Sequence, residues 1–308
     1  MKEKLLLQVP ASTANLGVGF DSIGMALDKC LTIEAKVIEG DSWRFVHEGP
    51  NLEGLPTNSD HYMYQIAHKV ASKFDVTLPN LEIKMRSEIP LARGLGSSAS
   101  ALVASLYITN FFTELELSKY ELLQIATEIE GHPDNVAPTI YGGLVVGYYN
   151  SQKNTTDISY IDTPKVDVVL TIPSYELRTE DARNVLPDAF NYQEAVQYSA
   201  ISNTMISALI QHDYKLAGKL MMQDGFHEQF RSHLVKEMAE IKEIGARHHA
   251  YATVLSGAGP TMLTLINKED SGAFVRELKQ AFKDCQTEFV TINEAGVKAK
   301  VVYEDATF

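Results

Sequence analysis

The stretch best suited to chemistry is a glycine-rich loop at residues 90–101. Gly94 and Gly96 lack a Cβ, so the backbone there can take positive φ and approach a ligand closely. Ser97 or Ser98 suits the N-cap of the apolar helix that follows. Because the first N–H groups of a helix are free to bind anions, the pattern predicts a phosphate site. The segment predicted to contact phosphate comprises Leu91, Ala92, Arg93, Gly94, Leu95, Gly96, Ser97, Ser98, Ala99, Ser100 and Ala101.

The alternative for this loop is a capped, buried helix that follows a tight turn. The run of small residues from Gly94 to Ala101, with a single leucine, argues against a purely structural role. No Lys-Ser or Lys-Thr pair follows the glycines, so the loop is not a P-loop. The third glycine of a dinucleotide fingerprint is missing. The His-Arg-Asp and Asp-Phe-Gly motifs of protein kinases are missing as well.

The overall charge limits the choice of ligand. The chain has 308 residues, with 27 Lys and Arg against 40 Asp and Glu, for a net charge of −13. An acidic surface repels nucleic acid, so we expect no nucleic-acid partner. A negative protein that binds phosphate must build a local positive field, which helix N–H groups, a few arginines and a metal ion can supply.

Cysteine usage and hydropathy suggest a protein of a reducing compartment. Cys30 and Cys285 are the only cysteines, and no Cys/His cluster has the spacing of zinc ligands. The first eight residues are too short in apolar length for a signal peptide, and no run reaches the roughly 18 apolar residues of a membrane span. We therefore expect a cytoplasmic protein with no membrane partner.

The segments that must position the loop are predicted to be strands and helices. A strand at 81–85 leads into the loop, and a helix to about Phe112 leaves it. Residues 31–38 alternate as a half-buried strand, and 43–46 could form its hairpin mate. The polar segment 150–157 suggests a boundary, giving domains at 1–150 and 151–308. Hairpins together with crossovers predict an α+β fold.

Three segments resemble the motifs of one family, the GHMP kinases of small molecules. They are Pro90–Ala101, Pro10–Gly24 and Leu255–Met262, and together they span most of the chain. Within the family, Ser12–Asp21 and His132–Pro138 are similar to the members that phosphorylate L-homoserine. The resemblance implies a ribosomal-protein-S5-like first domain, a ferredoxin-like second domain and a cleft between them. It also implies ATP as co-substrate, Mg²⁺ and a homodimer.

The same resemblance implies roles for individual residues. Asn15, Asp21 and His132 would contact the amino alcohol, Gly257 would line its pocket, and Asn58 would lie near adenine. Taken alone, Asn15 and Asp21 could equally satisfy their own backbone, and His132 could be structural. Arg93 is expected to face solvent or to neighbour phosphate.

An amino-acid substrate brings a carboxylate, which the planar fork of arginine binds with two hydrogen bonds. Arg183 and Arg231 match the arginine-bearing segments of the family, with Arg178 as a rival for the first role. The resemblance implies that Ser98 helps to hold Mg²⁺. Because this ion prefers hard oxygen ligands, a glutamate is expected to complete the site. Glu130 is favoured over Glu128 because it directly precedes Gly131, although a solvated helix face is the alternative for each.

The catalytic base is left open by the sequence. Related kinases of the family carry an aspartate for this purpose, but the matching position here is Asn135, which we expect to orient the substrate hydroxyl while its proton leaves late. Asp21 is the alternative base. The competing functions are phosphorylation of mevalonate, shikimate or a sugar, and a nucleotide-binding regulator without turnover.

Overall fold

The computed structural model describes residues 2–304, which form two β-sheets covered by helices. The strands are β1 (Lys2–Ala14), β2 (Ile23–Val37), β3 (Arg44–Glu48), β4 (Leu81–Ser87), β5 (Leu144–Asn150), β6 (Thr155–Ile161), β7 (Asp167–Pro173), β8 (Ala252–Leu255), β9 (Met262–Ile266), β10 (Cys285–Val290) and β11 (Lys298–Glu304). The helices are α1 (Tyr62–Lys73), α2 (Ser97–Phe112), α3 (Lys119–Glu130), α4 (Val136–Tyr141), α5 (Thr179–Asn184), α6 (Tyr192–Ile210), α7 (Tyr214–Met221), α8 (Glu228–Arg231), α9 (Met238–Arg247) and α10 (Lys268–Ala281). The predicted α+β class is confirmed.

The first sheet has the strand order β11-β1-β2-β4-β3, with β5 paired to β2 and β6 paired to β5. Its inner face packs on α2, which also contacts α1, α3 and α4. Nine of the sixteen residues of α2 are buried, so this helix lies at the centre of the first domain. That position fixes the phosphate loop, because the loop ends where α2 begins.

The predicted boundary after residue 150 falls inside the β5–β6 hairpin, in which Asn150 pairs with Thr155. The final strand β11 also returns to pair with β1. A division after Ile161 would keep the hairpin within the first domain. The boundary itself stays a prediction.

The second sheet has the order β10-β7-β9-β8, and every neighbouring pair is antiparallel. Helices α9 and α10 pack on it and enclose a separate apolar core that contains Phe274 and Ile241. Helix α7 packs near β8. No helix among residues 2–304 has the length and apolar character needed to span a bilayer.

Two local expectations are wrong. Strand β3 pairs in parallel with β4 instead of forming a hairpin with β2, because β1 and β4 already occupy the two edges of β2 there. The N-cap of α2 is Gly96, with φ of 68° and no side-chain cap, so neither Ser97 nor Ser98 caps the helix. Glycine takes this left-handed conformation without the steric cost of a side chain, which leaves both serine hydroxyls uncommitted to the helix end.

Candidate active site

One cleft brings together most of the predicted site residues. It lies between the start of α2, the loop after β1, the end of α3 and the elements α5 and α8, and it holds about 620 Å³ of space when its open mouth is included. The predicted residues that line it are Asn15, Asp21, Ala92, Gly94, Gly96, Ser97, Ser98, Ala99, Glu130, His132, Asn135, Arg183, Arg231 and Gly257. Asn15 and Gly257, which are 242 positions apart in the chain, therefore face the same small volume.

The phosphate loop is held in place by close backbone packing. Gly94 has φ of 75°, and a Cβ on it would lie 2.2 Å from the carbonyl oxygen of Ser256. A Cβ on Gly96 would lie 2.2 Å from the hydroxyl of Ser12. The Ser12 N–H donates to the carbonyl of Leu95 (3.2 Å). These contacts present the free N–H groups at the start of α2 to the cleft.

Some residues of the predicted segment do not face this cleft. The Arg93 guanidinium donates to the carbonyls of Leu91, Pro173 and Ser174, so its side chain neither faces solvent nor points to the cleft. Leu95 and Ser100 are buried. The arginine fastens the loop to the end of β7, a role that its position in the sequence does not reveal.

A second, apolar pocket of about 840 Å³ adjoins the phosphate loop. Its lining was not predicted, apart from the loop residues, and consists of Leu31, Leu52, Leu55, Pro56, Asp60, His61, Tyr62, Met85, Ser87, Ile89, Leu91, Ser97, Ser98 and Ala101. Asn58 does not line it but lies exposed in the loop between Pro56 and Asp60. Ser97 and Ser98 line both cavities, so the pocket and the cleft meet at the helix start.

A charged cluster forms the floor of the cleft at the end of α3. The ring of His132 lies 2.5 Å from the carboxylate of Asp134, which is only 2% exposed. Burial lowers the pKa of His132, but Asp134, Asp21 and Glu130 together outweigh it and raise the pKa to about 9. The imidazole is therefore protonated at neutral pH and adds a positive charge to the cleft.

Asp21 and Arg183 form a two-pronged ion pair across the cleft, with N–O distances of 2.7 and 3.2 Å. The Asp21 N–H donates to the side-chain oxygen of Asn15, and the Asn15 amide donates to the carbonyl of Gly257. Asn15 therefore braces its own loop, as the structural alternative expected, while it also lines the cleft. Phe20 lies beneath both arginines of the site, 5.7 Å from Arg183 and 5.4 Å from Arg231.

Arg231 differs from Arg183 in having no acidic partner. It is 2% exposed, and it donates to the carbonyls of Ala182 and Gly257. No carboxylate of residues 2–304 lies within 4 Å of its guanidinium. Burial and the charge of Arg183 lower the pKa of Arg231 to about 10, which still leaves it charged at neutral pH. Asp21, Asp224 and Asp134 act on Arg231 only through longer-range attraction. A buried cation that lines a cleft without a directly paired carboxylate is suited to bind an anion.

The two candidate metal ligands among the glutamates occupy different surroundings. Glu128 forms an ion pair with Lys73 on the outer face of α3. Glu130 lines the cleft, and burial raises the pKa of its carboxyl group. Within the described part of the chain, no ion pair engages Glu130. Its carboxylate and the Ser98 hydroxyl are hard oxygen donors of the kind that Mg²⁺ prefers.

Sequence reasoning missed several residues of the cleft, chiefly Asp134, Phe20, Leu177, Thr179 and Ala258. Asp134 could have been predicted, because it lies between His132 and Asn135, which were both predicted as site residues. Phe20 could have been predicted in the same way, because it directly precedes Asp21. Thr179 belongs to the arginine-bearing segment of Arg183, and Ala258 follows Gly257, so both carried a signal, whereas Leu177 carried none.

Family models match both halves of the chain. Residues 61–143 match the GHMP kinases N terminal domain, and residues 205–284 match the model described as GHMP kinases C terminal. The chain therefore belongs to the GHMP kinases.

Individual relatives narrow this assignment. The chain is 67% identical to a homoserine kinase of Staphylococcus saprophyticus, with 99% of this chain and 100% of the relative covered. It is 63% identical to a homoserine kinase of Staphylococcus epidermidis, with 98% and 99% covered. The crystal structure of homoserine kinase from Cytophaga hutchinsonii matches with a TM-score of 0.84 at 27% identity, over 97% of this chain and 98% of that one. Within the GHMP kinases, its family is that of the homoserine kinases.

Proposed function

We propose that this enzyme transfers the γ-phosphoryl group of ATP to the side-chain hydroxyl of L-homoserine, giving ADP and O-phospho-L-homoserine on the way to threonine. The observation that carries the substrate assignment is the buried guanidinium of Arg231, which lines the cleft and pairs directly with no carboxylate of the described residues. The α-carboxylate of an amino acid would supply that partner with charge-assisted hydrogen bonds. Relatives 67% and 63% identical carry the name homoserine kinase, which agrees with this assignment.

The ammonium group of the substrate would find its partners among the carboxylates of the same cleft. Asp21 and Asp134 both place carboxylate oxygens within 4.8 Å of a ring nitrogen of His132. Asp21 is held by Arg183, so an incoming zwitterion can approach the carboxylate and the guanidinium together. The two opposite charges of homoserine therefore match two opposite charges that the cleft already holds in fixed positions.

ATP fits the remainder of the site. The N–H groups at the start of α2 would bind the phosphates, and the adjoining apolar pocket would take the base. Leu91 and Ala101 belong to the predicted segment and line that pocket, whereas Asn58 would contribute only from the neighbouring loop.

The cleft also fits Mg²⁺. Ser98 and Glu130 would hold it, and when bound it neutralises phosphate charge. Replacing Glu130 with Gln should raise the Mg²⁺ concentration needed for half-maximal activity about tenfold, whereas Glu128→Gln, on the outer face of the same helix, should leave it unchanged. Equal behaviour of the two variants would contradict the assignment of Glu130.

The transfer itself needs alignment and charge neutralisation more than a strong base. Both oxygens of Asp21 already accept hydrogen bonds from Arg183, so the carboxylate is engaged in this ion pair. Asn135 lies beside Gly96 at the helix start and would orient the hydroxyl. We therefore propose in-line attack with late loss of the hydroxyl proton. Loss of phosphoryl transfer in single-turnover experiments with Asp21→Asn, but not with Asn135→Asp, would contradict this proposal.

The deciding experiment measures ADP release with homoserine and with three alcohols that each lack part of it. Aminopropanol lacks the carboxylate, γ-hydroxybutyrate lacks the ammonium group, and mevalonate lacks the amine and differs in shape. Only homoserine should be turned over rapidly. Faster turnover of mevalonate would favour another GHMP kinase activity, and no ADP release with any alcohol would favour a regulator without turnover.

The resemblance also predicted a homodimer, and cysteine usage and hydropathy predicted a cytoplasmic protein; we retain both as proposals. Helix α6 has one charged residue in nineteen, Glu194, in a chain of net charge −13. Tyr192, Val196 and Ile210 of this helix are 87%, 52% and 58% exposed. Two copies meeting at this face avoid the charge repulsion found elsewhere, so Val196→Glu should lower the mass measured by light scattering from dimer to monomer. An unchanged mass would exclude this face.

A further inference from the structure

The side-chain amide of Asn135 is hydrogen-bonded on both sides, by Ser12, which has no role in the reaction described above, and by Asp134. The Ser12 hydroxyl donates to its oxygen Oδ1 at 2.9 Å. Its nitrogen Nδ2 donates to Oδ1 of Asp134 at 3.3 Å. The same oxygen of Asp134 accepts from the ring of His132. The four side chains form one continuous chain of hydrogen bonds across the floor of the cleft.

Both ends of this hydrogen-bonded chain are anchored in rigid backbone. Ser12 is fully buried in β1, and its N–H is bonded to the phosphate loop at Leu95. Asp134 is 2% exposed, and its carbonyl oxygen would lie 1.6 Å from a Cβ at Gly24, so its backbone sits tightly against β2. The partners of the Asn135 amide therefore cannot move aside without disturbing the sheet.

These contacts select one of the two possible orientations of the amide. If the amide turned over, its oxygen would face an oxygen of the Asp134 carboxylate, so two hydrogen-bond acceptors would meet. The Ser12 hydroxyl can donate or accept, so it bonds the amide in either orientation, and Asp134 decides between the two. In that orientation Nδ2 has one N–H committed to Asp134 and a second N–H left over in the cleft.

We propose that Ser12 and Asp134 are positioning residues that hold the Asn135 amide with its second N–H turned to the cleft, so that Asn135 serves phosphoryl transfer as a hydrogen-bond donor. The proposal rests on the function assigned above. It accounts for the amide at this position, because an aspartate at 135 would place two carboxylates side by side.

A double-mutant cycle between the two neighbouring positions tests the proposal. Asn135→Asp and Asp134→Asn should each lower kcat about 10²-fold, because a displaced reacting group costs about that much. Asp134 acts on the transfer through the Asn135 amide, so its loss should add little once position 135 has no N–H to donate. The kcat of the double variant should therefore exceed the value expected from independent losses by about tenfold or more. Additive losses in a folded double variant would overturn the proposal.

Ser12 gives a second, milder test. Ser12→Ala should lower kcat about tenfold with the KM for ATP within about twofold of wild type, and Ser12→Thr should recover most of the rate. Ser105→Ala is the matched control, since Ser105 is also fully buried but donates only to a carbonyl of its own helix. Equal effects of Ser12→Ala and Ser105→Ala on kcat would reduce Ser12 to a structural residue.

A measurement without turnover separates this proposal from the function on which it rests. The ¹⁵N resonance of the Asn135 side-chain amide should shift in Asp134→Asn and in Ser12→Ala, and it should stay unchanged in Ser105→Ala. If wild-type protein fails to phosphorylate homoserine, the assigned function falls while this shift still tests the orientation. If neither variant moves the resonance, the positioning role is overturned even in an active enzyme.

Discussion

The two halves of the cleft are constructed in opposite ways. The nucleotide half depends on one continuous segment, residues 90–101, whose backbone N–H groups and missing side chains create the site. The substrate half depends on charged side chains delivered by separate segments near residues 21, 132, 183 and 231. We therefore expect the nucleotide half to tolerate the loss of side-chain atoms but not the addition of atoms. We expect the substrate half to tolerate neither the loss nor the exchange of a charged group.

The largest effect is expected from the substrate half at Arg231. Arg231→Ala should lower kcat/KM for homoserine about 10³-fold, because truncating one partner of a buried ion pair costs about 4 kcal/mol. Arg231→Lys should recover only part of this loss, since an ammonium cannot reproduce the planar fork. Steady-state kinetics with homoserine varied at saturating ATP gives the value.

The control for Arg231 is Arg178→Ala. Arg178 is exposed and does not line the cleft, although it competed with Arg183 in the sequence analysis. This variant should match wild type. An Arg231→Ala enzyme with unchanged kcat/KM would show that the substrate half does not depend on this side chain.

The nucleotide half should fail when an atom is added. In Gly94→Ala the new Cβ would lie 2.2 Å from a backbone oxygen at φ of 75°, so both the strain and the clash oppose the present loop shape. We expect kcat/KM for ATP to fall about 10²-fold. Gly49→Ala is the matched control, because Gly49 has φ of 91° with open space around its Cβ position. Equal losses of kcat/KM for ATP in both variants would show that the loop is not part of the ATP site.

The two halves also hold their histidines in opposite charge states, which gives a pH test. His61, in the nucleotide half, has its pKa lowered to about 4 by burial and by His47, whereas that of His132 is raised to about 9. A group whose folded pKa is depressed favours folding above its unfolded pKa near 6.5, and this contribution is lost as pH falls towards 4. Acidification from pH 7 to 5 should therefore cost wild type about 2 kcal/mol through His61 alone.

His61→Asn should remove that part of the loss while keeping an acceptor for the N-cap bond to Met63. Urea unfolding at the two pH values measures it. His132→Asn should not reduce the loss of unfolding free energy between pH 7 and 5. A histidine of raised pKa stabilises the folded chain more, relative to the unfolded chain, as pH falls. Parallel curves for wild type and His61→Asn would contradict the buried, neutral state of His61.

The contrast between the halves also explains what the sequence could predict. The nucleotide half lies in one segment, so glycines, small residues and a helix start identify it without knowledge of the fold. The α+β class and most helices were predicted from periodicity in the same way. The substrate half was predicted only through resemblance to a family, because the ion pair of Asp21 with Arg183 joins residues that no local pattern connects.

Other features depend on partners that only the folded chain supplies. The Arg93 side chain turns to carbonyls at the end of β7, some eighty residues further along the chain. The parallel pairing of β3 follows from which sheet edges are already occupied. The choice of Gly96 over a serine as N-cap follows from its left-handed backbone, which is set by packing against Ser12.

That last difference provides the smallest effect and the most direct check on the backbone character of the nucleotide half. A serine that caps a helix contributes about 1 kcal/mol, as Ser118 should at α3, where it accepts from the Glu121 N–H within a capping box. Ser97 makes no such bond, so Ser97→Ala should change the free energy of unfolding by less than about 0.5 kcal/mol, while Ser118→Ala loses about 1 kcal/mol. Equal losses would mean that the Ser97 hydroxyl caps α2 in solution. The N–H groups at the start of α2 would then be partly hydrogen-bonded before phosphate binds.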